Sequence, residues 1–442
     1  MLMKKALFYI FFISFFLLFL PLSLLGVFAR EFLGYLKLKT SEANLAPGQT
    51  ITYNNWIIKL KGADFLALMP DYLVLRAYSP QVEIETRQPP KKHSNLKLPR
   101  ILLKNFRTQN LRHSGLKGLK IKNQTDLSFL LTPQTVQGKT LISWNSPGPD
   151  FTFWVIGDPH YGWIGRKEIL PAILNAAQKF KPLFLVITGD LTASGRKEQF
   201  EEISRLLSSV GLPVYTVPGN HDMMDQTPQP SEVSSLKIEP ASPTLYRRFF
   251  GPSYYSFELG GHRLIFLDTS FARLYDRQLY WLKNRSQKSA LWFFHIPPFE
   301  PRPFGHHCFL NREETGKLTS FLRADQPEAI FCAHIHGAYR YQLYGIPFYI
   351  TGGAGAPLIG NPEKHGYFHY LEVKTASSGI TAWPHRIGLI GTPLQYRILN
   401  RIIEPLCWEL YQNPGLKNGI QLFTLIMFLG LIYLGVRKDK IG

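Results

Sequence analysis

The amino-acid sequence predicts a layered α/β fold that follows a smaller β-rich region. From residue 149 onward, buried-strand patterns alternate with amphipathic helical patterns. Several of these strand patterns are almost continuously apolar, as expected when helices cover both faces of a sheet. Asp, Asn and His residues repeatedly follow the strand patterns, and α/β folds bind ligands outside the carboxyl ends of strands. We therefore expect a ligand site at that edge.

Both ends of the chain are hydrophobic. Residues 1–29 have an early lysine pair, an apolar run and a small-residue cleavage pattern ending at Ala29, which predicts a secretory signal peptide. An uncleaved N-terminal membrane anchor is the alternative, because the apolar run is long enough to span a bilayer. Residues 419–436 carry no charge and precede a basic tail, residues 437–442. This pattern predicts a transmembrane helix with a cytoplasmic end, and a buried core helix is the alternative.

Residues 30–148 read as a basic β-rich domain. Short β-like runs, such as residues 52–60 and 72–77, alternate with clusters of Gly, Pro, Asn and Lys. Between residues 31 and 148 there are seventeen Lys and Arg against seven Asp and Glu, within a chain of 442 residues and net charge +19. The excess predicts anionic partners, with an anionic lipid or envelope polymer as one hypothesis and a merely solvated basic surface as the other. We do not expect nucleic acid as a partner.

Residues 149–375 form the predicted α/β domain, and residues 376–418 connect it to the C-terminal hydrophobic segment. We expect helices near residues 166–180, 198–210, 276–283 and 312–324. We expect strands at residues 151–156, 183–188, 214–217, 263–268, 291–294, 329–332, 348–351 and 368–373.

Five of these strands are followed by chemically similar residues. The strand-end residues are Asp158 and His160, Asp190, Asn220 with His221 and Asp222, His295, and His334 with His336. Each group alone is compatible with an ordinary turn or a surface histidine. Five such endings in one α/β domain favour a metal site, since carboxylate and imidazole suit divalent first-row metals.

The order and spacing of these motifs resemble the calcineurin-like metallophosphoesterase superfamily over roughly residues 150–373. The resemblance implies a sandwich of two mixed sheets flanked by helices. Two departures stand out: Ala333 occupies a position where the family usually has Gly, and no Tyr closely follows Asp190. The second departure sets the chain apart from the purple acid phosphatases, whose iron is held by a tyrosinate.

The resemblance also implies a role for each residue. One metal ion would be held by Asp158, His160 and His336 and a second by Asn220, His295 and His334, with Asp190 bridging both. An anionic bridge is physically required, because two dications that close repel each other strongly. His221 would stabilise the transition state or protonate the leaving oxygen, and Asp222 would orient His221.

The sequence thus predicts a membrane-anchored, extracytoplasmic phosphoesterase. It would hydrolyse an anionic phosphomonoester or phosphodiester with a hydroxide bound to two divalent ions, for which Mn, Fe and Zn are equally suitable. Loop residues His306, His307, Arg302, Arg247 and Arg248 are further candidates for holding substrate oxygens, with ordinary solvated loop residues as the alternative. The alternative is a catalytically silent phosphate-binding or scaffold protein of the cell envelope on the same fold. The sequence argues against this alternative, because a suitable residue stands at every ligand position and His221, which a mere binding protein would not need, is present.

Overall fold

The computed structural model describes residues 47–387, apart from short gaps. The gaps are residues 54–55, 70–71, 88–99, 131–138, 145–147, 163–165, 225–235, 240–243, 286–289, 303–307, 309–311 and 362. The hydrophobic segments at residues 1–29 and 419–436 lie outside the described residues. Within the described part of the chain, no helix is both long and apolar enough to cross a membrane.

The N-terminal region builds two sheets. Its strands are β1 (Gln49–Tyr53), β2 (Trp56–Lys61), β3 (Ala63–Met69), β4 (Tyr72–Ala77), β5 (Gln81–Arg87), β6 (Arg100–Lys104), β7 (Leu111–Ser114), β8 (Lys117–Ile121), β9 (Leu127–Leu130) and β10 (Lys139–Trp144). Sheet 2 has the order β3-β4-β6-β9-β8. In the six-stranded sheet 1, five of these strands are joined by β14 (Leu236–Glu239), which gives the order β14-β1-β2-β5-β10-β7.

The remaining strands build two mixed sheets. They are β11 (Phe151–Ile156), β12 (Leu185–Ile187), β13 (Val214–Thr216), β15 (Tyr255–Leu259), β16 (His262–Phe266), β17 (Ala290–Phe293), β18 (Ala329–Cys332), β19 (Ala338–Leu343), β20 (Ile346–Thr351), β21 (His369–Ala376) and β22 (Gly379–Arg386). Sheet 3 runs β13-β12-β11-β21-β22, and sheet 4 runs β15-β16-β17-β18-β20-β19. The α-helices are α1 (Ile169–Phe180), α2 (Lys197–Ser208), α3 (Leu245–Phe250), α4 (Asp276–Lys283) and α5 (Arg312–Asp325).

Parallel pairing brings the strand-end residues to one edge. Strands β11, β12 and β13 run parallel in sheet 3, as do β16, β17, β18 and β20 in sheet 4. Asp158, Asp190 and Asn220 follow β11, β12 and β13 of sheet 3, and His295 and His334 follow β17 and β18 of sheet 4. The mixed α/β fold with several sheets is therefore confirmed.

Aromatic side chains fill the space between sheets 3 and 4. Phe153 on β11 lies edge-on to Phe293 and Phe331, with ring centroids 6.0 and 6.1 Å away. Phe266, Phe293, Phe331 and Tyr349 stack in sequence across four neighbouring strands at 4.9, 5.1 and 5.4 Å. Burying each such ring stabilises the fold by roughly 1.5–3 kcal/mol. This layer fixes how the two sheets face each other and hence how their strand ends meet.

The N-terminal region differs in detail from the sequence prediction. Residues 52–60 were predicted as one β-like run, but residues 52–53 and 56–60 belong to two antiparallel strands in which Tyr53 pairs with Trp56. Its hydrophobic cluster is also continuous with that of sheets 3 and 4. The predicted boundary at residue 148 stays a prediction.

Candidate metal centre

The strand-end residues converge into two adjoining groups. Asp158, His160, Asp190 and His336 form one group, and Asp190, His295 and His334 form the other. Within each group, one ligand atom from every residue lies within 4.8 Å of the others. Asp190 belongs to both groups, and the side-chain oxygen of Asn220 lies 3.0 Å from Nε2 of His295. The seven predicted ligand positions therefore come together, divided as the resemblance implies.

One oxygen of Asp190 faces both groups. Its Oδ2 lies 3.1 Å from Nε2 of His160 and 3.2 Å from Nε2 of His295. Its Oδ1 accepts a 2.8 Å hydrogen bond from the backbone N–H of His221. The carboxylate is fully buried, so its orientation is set by these neighbours. This placement is the one that a bridging carboxylate requires.

The backbone is strained where it presents the ligands. Asp158, His160, Asp190 and His334 have φ values of 55°, 43°, 51° and 68°, in the left-handed region that non-glycine residues rarely adopt. Such strain concentrates at functional sites, where the surrounding structure holds the residue in place. The turns after β11, β12 and β18 therefore aim their side chains inward at an energetic cost.

Glycines leave room for the carboxylates. A Cβ atom on Gly219 would lie 2.1 Å from Oδ1 of Asp190, and one on Gly352 would lie 2.4 Å from Oδ2 of Asp158. The Cβ of Ala333 faces Gly157, where a second Cβ would lie only 2.5 Å away. The departure at Ala333 is thus accommodated because the residue opposite has no side chain.

Backbone carbonyls orient three imidazole rings. Nδ1 of His295 donates to the Thr188 carbonyl at 2.9 Å, and Nδ1 of His336 donates to the Pro357 carbonyl at 2.9 Å. Nδ1 of His221 donates to the Ala193 carbonyl at 2.8 Å. Because a carbonyl can only accept, the proton is on Nδ1 in each ring, which leaves Nε2 to act as a ligand or to exchange a proton. Sequence reasoning could not find these carbonyls, because they contribute no side chain.

Burial and neighbouring charges shift the pKa values of the clustered Asp and His residues, as expected at a site for ions. Burial raises the pKa of Asp158 well above its usual value. Burial alone would lower the pKa of His295, but the charges of Asp190 and Asp158 raise it to about 9. Burial also opposes ionisation of Asp190, yet nearby His295 and His221 hold its pKa well below the usual range. The buried carboxylates thus need positive charge beside them in order to stay ionised.

Two buried polar atoms indicate that the residues suit a cation. Oδ1 of Asp158 and Nδ1 of His160 have no hydrogen-bond partner among the described residues, although both side chains are at most 2% exposed. An unsatisfied buried polar atom costs about 1–3 kcal/mol, and a metal ion would remove that cost. Histidine nitrogen and carboxylate oxygen are ordinary ligands of Mn, Fe and Zn. The donor set therefore fits divalent metal, and it leaves the identity of the metal open.

Asp222 has a different set of contacts from the one predicted. Its carboxylate accepts hydrogen bonds from the backbone N–H groups of Gly219, Leu191 and Thr192, at 3.0, 3.1 and 2.9 Å, and from the Thr192 hydroxyl at 2.9 Å. In the described part of the chain, no hydrogen bond joins it to the His221 ring. Instead, Asp222 ties the Asp190 turn to the Asn220 turn, and its partner Thr192 directly precedes Ala193, whose carbonyl bonds the His221 ring.

Three of the five basic loop candidates lie in the described part of the chain, and two of these form ion pairs with carboxylates. Arg247 and Arg248 were predicted in a loop, but both lie on α3, and buried Arg247 pairs with Asp64 at 3.1 Å. Arg302 forms a two-point ion pair with Glu300 through bonds of 2.6 and 3.0 Å. His306 and His307 lie outside the described residues.

The chain is similar in sequence to known phosphoesterases. Residues 151–338 match the family model described as calcineurin-like phosphoesterase. A probable cyclic nucleotide phosphodiesterase of Psychrobacter sp. is 23% identical in an alignment 264 residues long, and the alignment covers 52% of this chain and 74% of that protein. A serine/threonine-protein phosphatase of Bos taurus is 29% identical over 253 residues, 48% of this chain and 73% of that protein. A solved dimetal phosphatase from Danio rerio shares 15% identity, with a TM-score of 0.40, over 54% of this chain and 96% of that chain.

The α/β fold, the double Asp/His cluster and the named relatives define a metal-dependent phosphoesterase. Residues 151–338 match the calcineurin-like phosphoesterase family model, the family that the strand-end motifs resemble.

Proposed function

We propose that the chain hydrolyses a phosphodiester or phosphomonoester with two divalent ions held at this centre. The observation that carries the proposal is the position of Asp190, whose Oδ2 lies within 3.2 Å of one histidine from each group. A single-metal site would not need a buried carboxylate shared in this way. Several relatives are named cyclic nucleotide phosphodiesterases, which supports a diester as the substrate to test first.

Each ion would have its own ligands. Asp158, His160 and His336 would hold one, Asn220, His295 and His334 would hold the other, and Asp190 would contact both. When bound, two such ions would lower the pKa of water toward 7 and neutralise charge on the phosphoryl group.

His221 would act on the leaving group. Its ring centroid lies 4.3 Å from that of His160, so it borders the first metal position. Its Nδ1 is engaged with the Ala193 carbonyl, which leaves Nε2 to exchange a proton with the leaving oxygen. The backbone bond from His221 to Asp190 couples the position of the ring to the bridging carboxylate.

We further propose that the enzyme works outside the cytoplasm and is held at the membrane. The proposal rests on the sequence of residues 1–29 and 419–436 and on the basic residues after Val436. A substrate of the cell envelope would follow from that location.

The N-terminal basic charge supports an anionic partner at one particular surface. On β2, Lys59 and Lys61 lie opposite Glu85 and Glu83, so their charge is locally balanced. The β7–β8 segment, residues 111–122, instead exposes Arg112 on the edge strand of sheet 1, Lys120 on the edge strand of sheet 2, and Lys122 just after it. Ile121 is 59% exposed between the two lysines. A basic edge with one exposed aliphatic side chain suits an anionic membrane surface or envelope polymer.

The test is an activity panel on the full chain. Purified protein, loaded in turn with Mn²⁺, Zn²⁺ and Fe²⁺, would be assayed on 3′,5′-cyclic AMP, bis-p-nitrophenyl phosphate and p-nitrophenyl phosphate. We expect hydrolysis of a diester that Asp190→Asn abolishes, together with two ions per chain by elemental analysis. His221→Ala should retain both ions while kcat falls by about 10² or more, because His221 acts only in the transition state.

The same panel tests the silent scaffold alternative. No turnover with any metal, despite two bound ions, would favour the scaffold. One ion per wild-type chain would contradict the dinuclear proposal.

A further inference from the structure

The strand that presents Asn220 and His221 is an edge strand. In the described part of sheet 3, β13 pairs with β12 on one side and with no strand on the other. On a buried edge strand, the N–H and C=O groups of the outer side have no neighbouring strand, so they need other hydrogen-bond partners. On β13 these are the N–H and C=O groups of Val214 and Thr216, because Tyr215 points its groups toward β12.

Asn105 supplies the partner for Val214. The backbone N–H of Val214 donates to Oδ1 of Asn105 at 2.8 Å, and Nδ2 of Asn105 donates to the Val214 carbonyl at 2.9 Å. One side-chain amide thus makes both bonds that a neighbouring strand would make. Asn105 comes from the N-terminal region, just after β6, and Nδ2 also donates to the Ala77 carbonyl at 2.8 Å. Its φ of 59° is one that Asn tolerates better than most residues.

Tyr255 supplies the partner for Thr216. Its hydroxyl accepts from the Thr216 N–H at 3.1 Å and donates to the Thr216 carbonyl at 2.9 Å. Tyr246 on α3 bonds the Thr216 hydroxyl at 2.7 Å. All four outward backbone groups of β13 are therefore paired by side chains from both halves of the molecule, and Arg76 on β4 adds a longer 3.4 Å bond to the Val214 carbonyl.

A second connection leads from the same turn to the N-terminal region. The segment that follows Asp222 contributes β14, which pairs antiparallel with β1 from Thr50↔Glu239 to Tyr53↔Leu236. Immediately beyond it, Arg247 on α3 forms its buried ion pair with Asp64 on β3. The Asn220–Asp222 turn is thus attached to N-terminal residues on both sides, through β13 before it and through β14 and α3 after it.

We propose that Asn105 is a positioning residue for the Asn220–His221 turn, so that the N-terminal region forms part of the catalytic structure. Asn105 acts through Val214, which lies six residues before Asn220, and it does not touch the metal centre. The catalytic consequence rests on the proposed function, whereas the effect on β13 does not. Loss of the amide weakens the pairing of the buried Val214 groups and leaves the carbonyl with only the longer 3.4 Å bond from Arg76, which lets β13 shift and displaces the turn at its carboxyl end.

The test compares two nearly isosteric variants of the full chain. Asn105→Asp retains an acceptor but loses the Nδ2 donor and places a carboxylate beside the Val214 carbonyl. Thr108→Val is the control: it also removes buried hydrogen bonds from the N-terminal region, but those bonds reach only the carbonyls of Asn123 and Gln124. Hydrogen–deuterium exchange of peptides spanning residues 213–224 reports on β13 without any substrate or metal.

Asn105→Asp should increase exchange in residues 213–224 about tenfold or more, and Thr108→Val should not. With the diester assay, Asn105→Asp should lower kcat by about 10²-fold and leave KM within about twofold, because displaced catalytic groups chiefly affect the transition state. Exchange in residues 213–224 that matches the control would overturn the proposal. If no diester is hydrolysed even by wild type, the exchange result still decides the role of Asn105.

A second variant serves the case in which Asn105→Asp does not fold. Asn105→Gly keeps the positive φ accessible and allows water to reach Val214. If both Asn105 variants fail to fold while Thr108→Val folds, Asn105 is a folding residue and the positioning role is wrong.

Discussion

At the scale of single residues, buried His369 links stability to pH. Nδ1 of His369 bonds the Tyr367 carbonyl at 2.9 Å, and Nε2 lies 3.1 Å from the Thr351 hydroxyl. Burial lowers the pKa of His369 from 6.5 to about 4, so the folded protein keeps the ring neutral. Between pH 6.5 and 4 the unfolded chain binds a proton that the folded protein does not.

We therefore expect this stabilisation to be complete above pH 6.5 and to disappear as the pH falls to 4. The difference amounts to about 3 kcal/mol of unfolding free energy. Urea unfolding of His369→Gln should show a smaller loss between pH 7 and pH 4.5 than wild type. His113→Gln, on an exposed strand, is the control and should follow wild type. Equal slopes for all three proteins would contradict the assignment.

Gly219 gives a second prediction at this scale. Gly219→Ala would place a methyl group 2.1 Å from Oδ1 of Asp190, so the bridging carboxylate must move. We expect the affinity for both Mn²⁺ ions to fall at least tenfold in calorimetry, about 1.4 kcal/mol per ion. Gly316→Ala on α5, where a Cβ meets nothing within 4 Å, should leave Mn²⁺ binding unchanged. Wild-type affinity in Gly219→Ala would show that the turn adapts.

The site residues were the most predictable part of the molecule. Each candidate ligand carries a distinctive side chain at the end of a strand, so residue type and spacing were sufficient to predict that these side chains come together. The contacts of Asp222 were not predictable, because its partners are backbone N–H groups of residues 191, 192 and 219. The same limitation applies to Asn105, whose amide bonds a strand more than a hundred residues away.

At the scale of secondary-structure elements, the aromatic row across sheet 4 should dominate stability. Phe331 stacks between Phe293 and Tyr349 and is fully buried. Phe331→Ala should reduce the unfolding free energy by about 3–5 kcal/mol, because the lost ring leaves a cavity. Phe180→Ala, whose ring is 64% exposed, should cost far less. Chemical denaturation of the two variants provides the measurement, and similar losses would contradict the prediction.

Most elements of residues 149–375 were predicted because their strands are apolar runs, but β15, β19 and α3 were not. Residues 276–283 and 329–332 match α4 and β18 at both ends. In the N-terminal region, residues 52–60 were predicted as one run because β-like residues surround an Asn pair. The Asn pair is itself a turn signal, and the two observed strands lie on either side of it. Strand β14 could not be predicted from local pattern, because its partner β1 lies far away in sequence.

At the scale of the whole molecule, the basic β7–β8 segment gives a salt-dependent prediction. The full chain without detergent-bound lipid should associate with vesicles containing phosphatidylserine at low salt and release them as salt rises, since the attraction is screened within about 10 Å at 0.1 M. Replacement of Lys120 and Lys122 by Glu should weaken sedimentation with these vesicles, whereas replacement of Lys59 and Lys61 should have a smaller effect. Equal binding to neutral vesicles would contradict the role of charge.

The orientation across the membrane gives a further prediction. A tag after Gly442 should be protected from added protease in intact cells, whereas a tag inserted near Gln88 should be accessible. The physical reason is that basic residues flank both hydrophobic segments on the predicted cytoplasmic side. Protection of the Gln88 tag, with the Gly442 tag exposed, would contradict the predicted orientation.

The pairing of β14 with β1 also dictates when folding can be completed. During synthesis, β1 emerges early, yet its partner appears only after the Asp158, Asp190 and Asn220 motifs have all been made. Until then β1 has an open edge, and an open edge in a nascent β-sheet is a site for mispairing with other chains. Closing so long a loop is also kinetically slow. The N-terminal sheet is therefore first to be translated and among the last to be finished, and an emerging chain of this protein should depend on chaperone protection until Glu239 has cleared the ribosome.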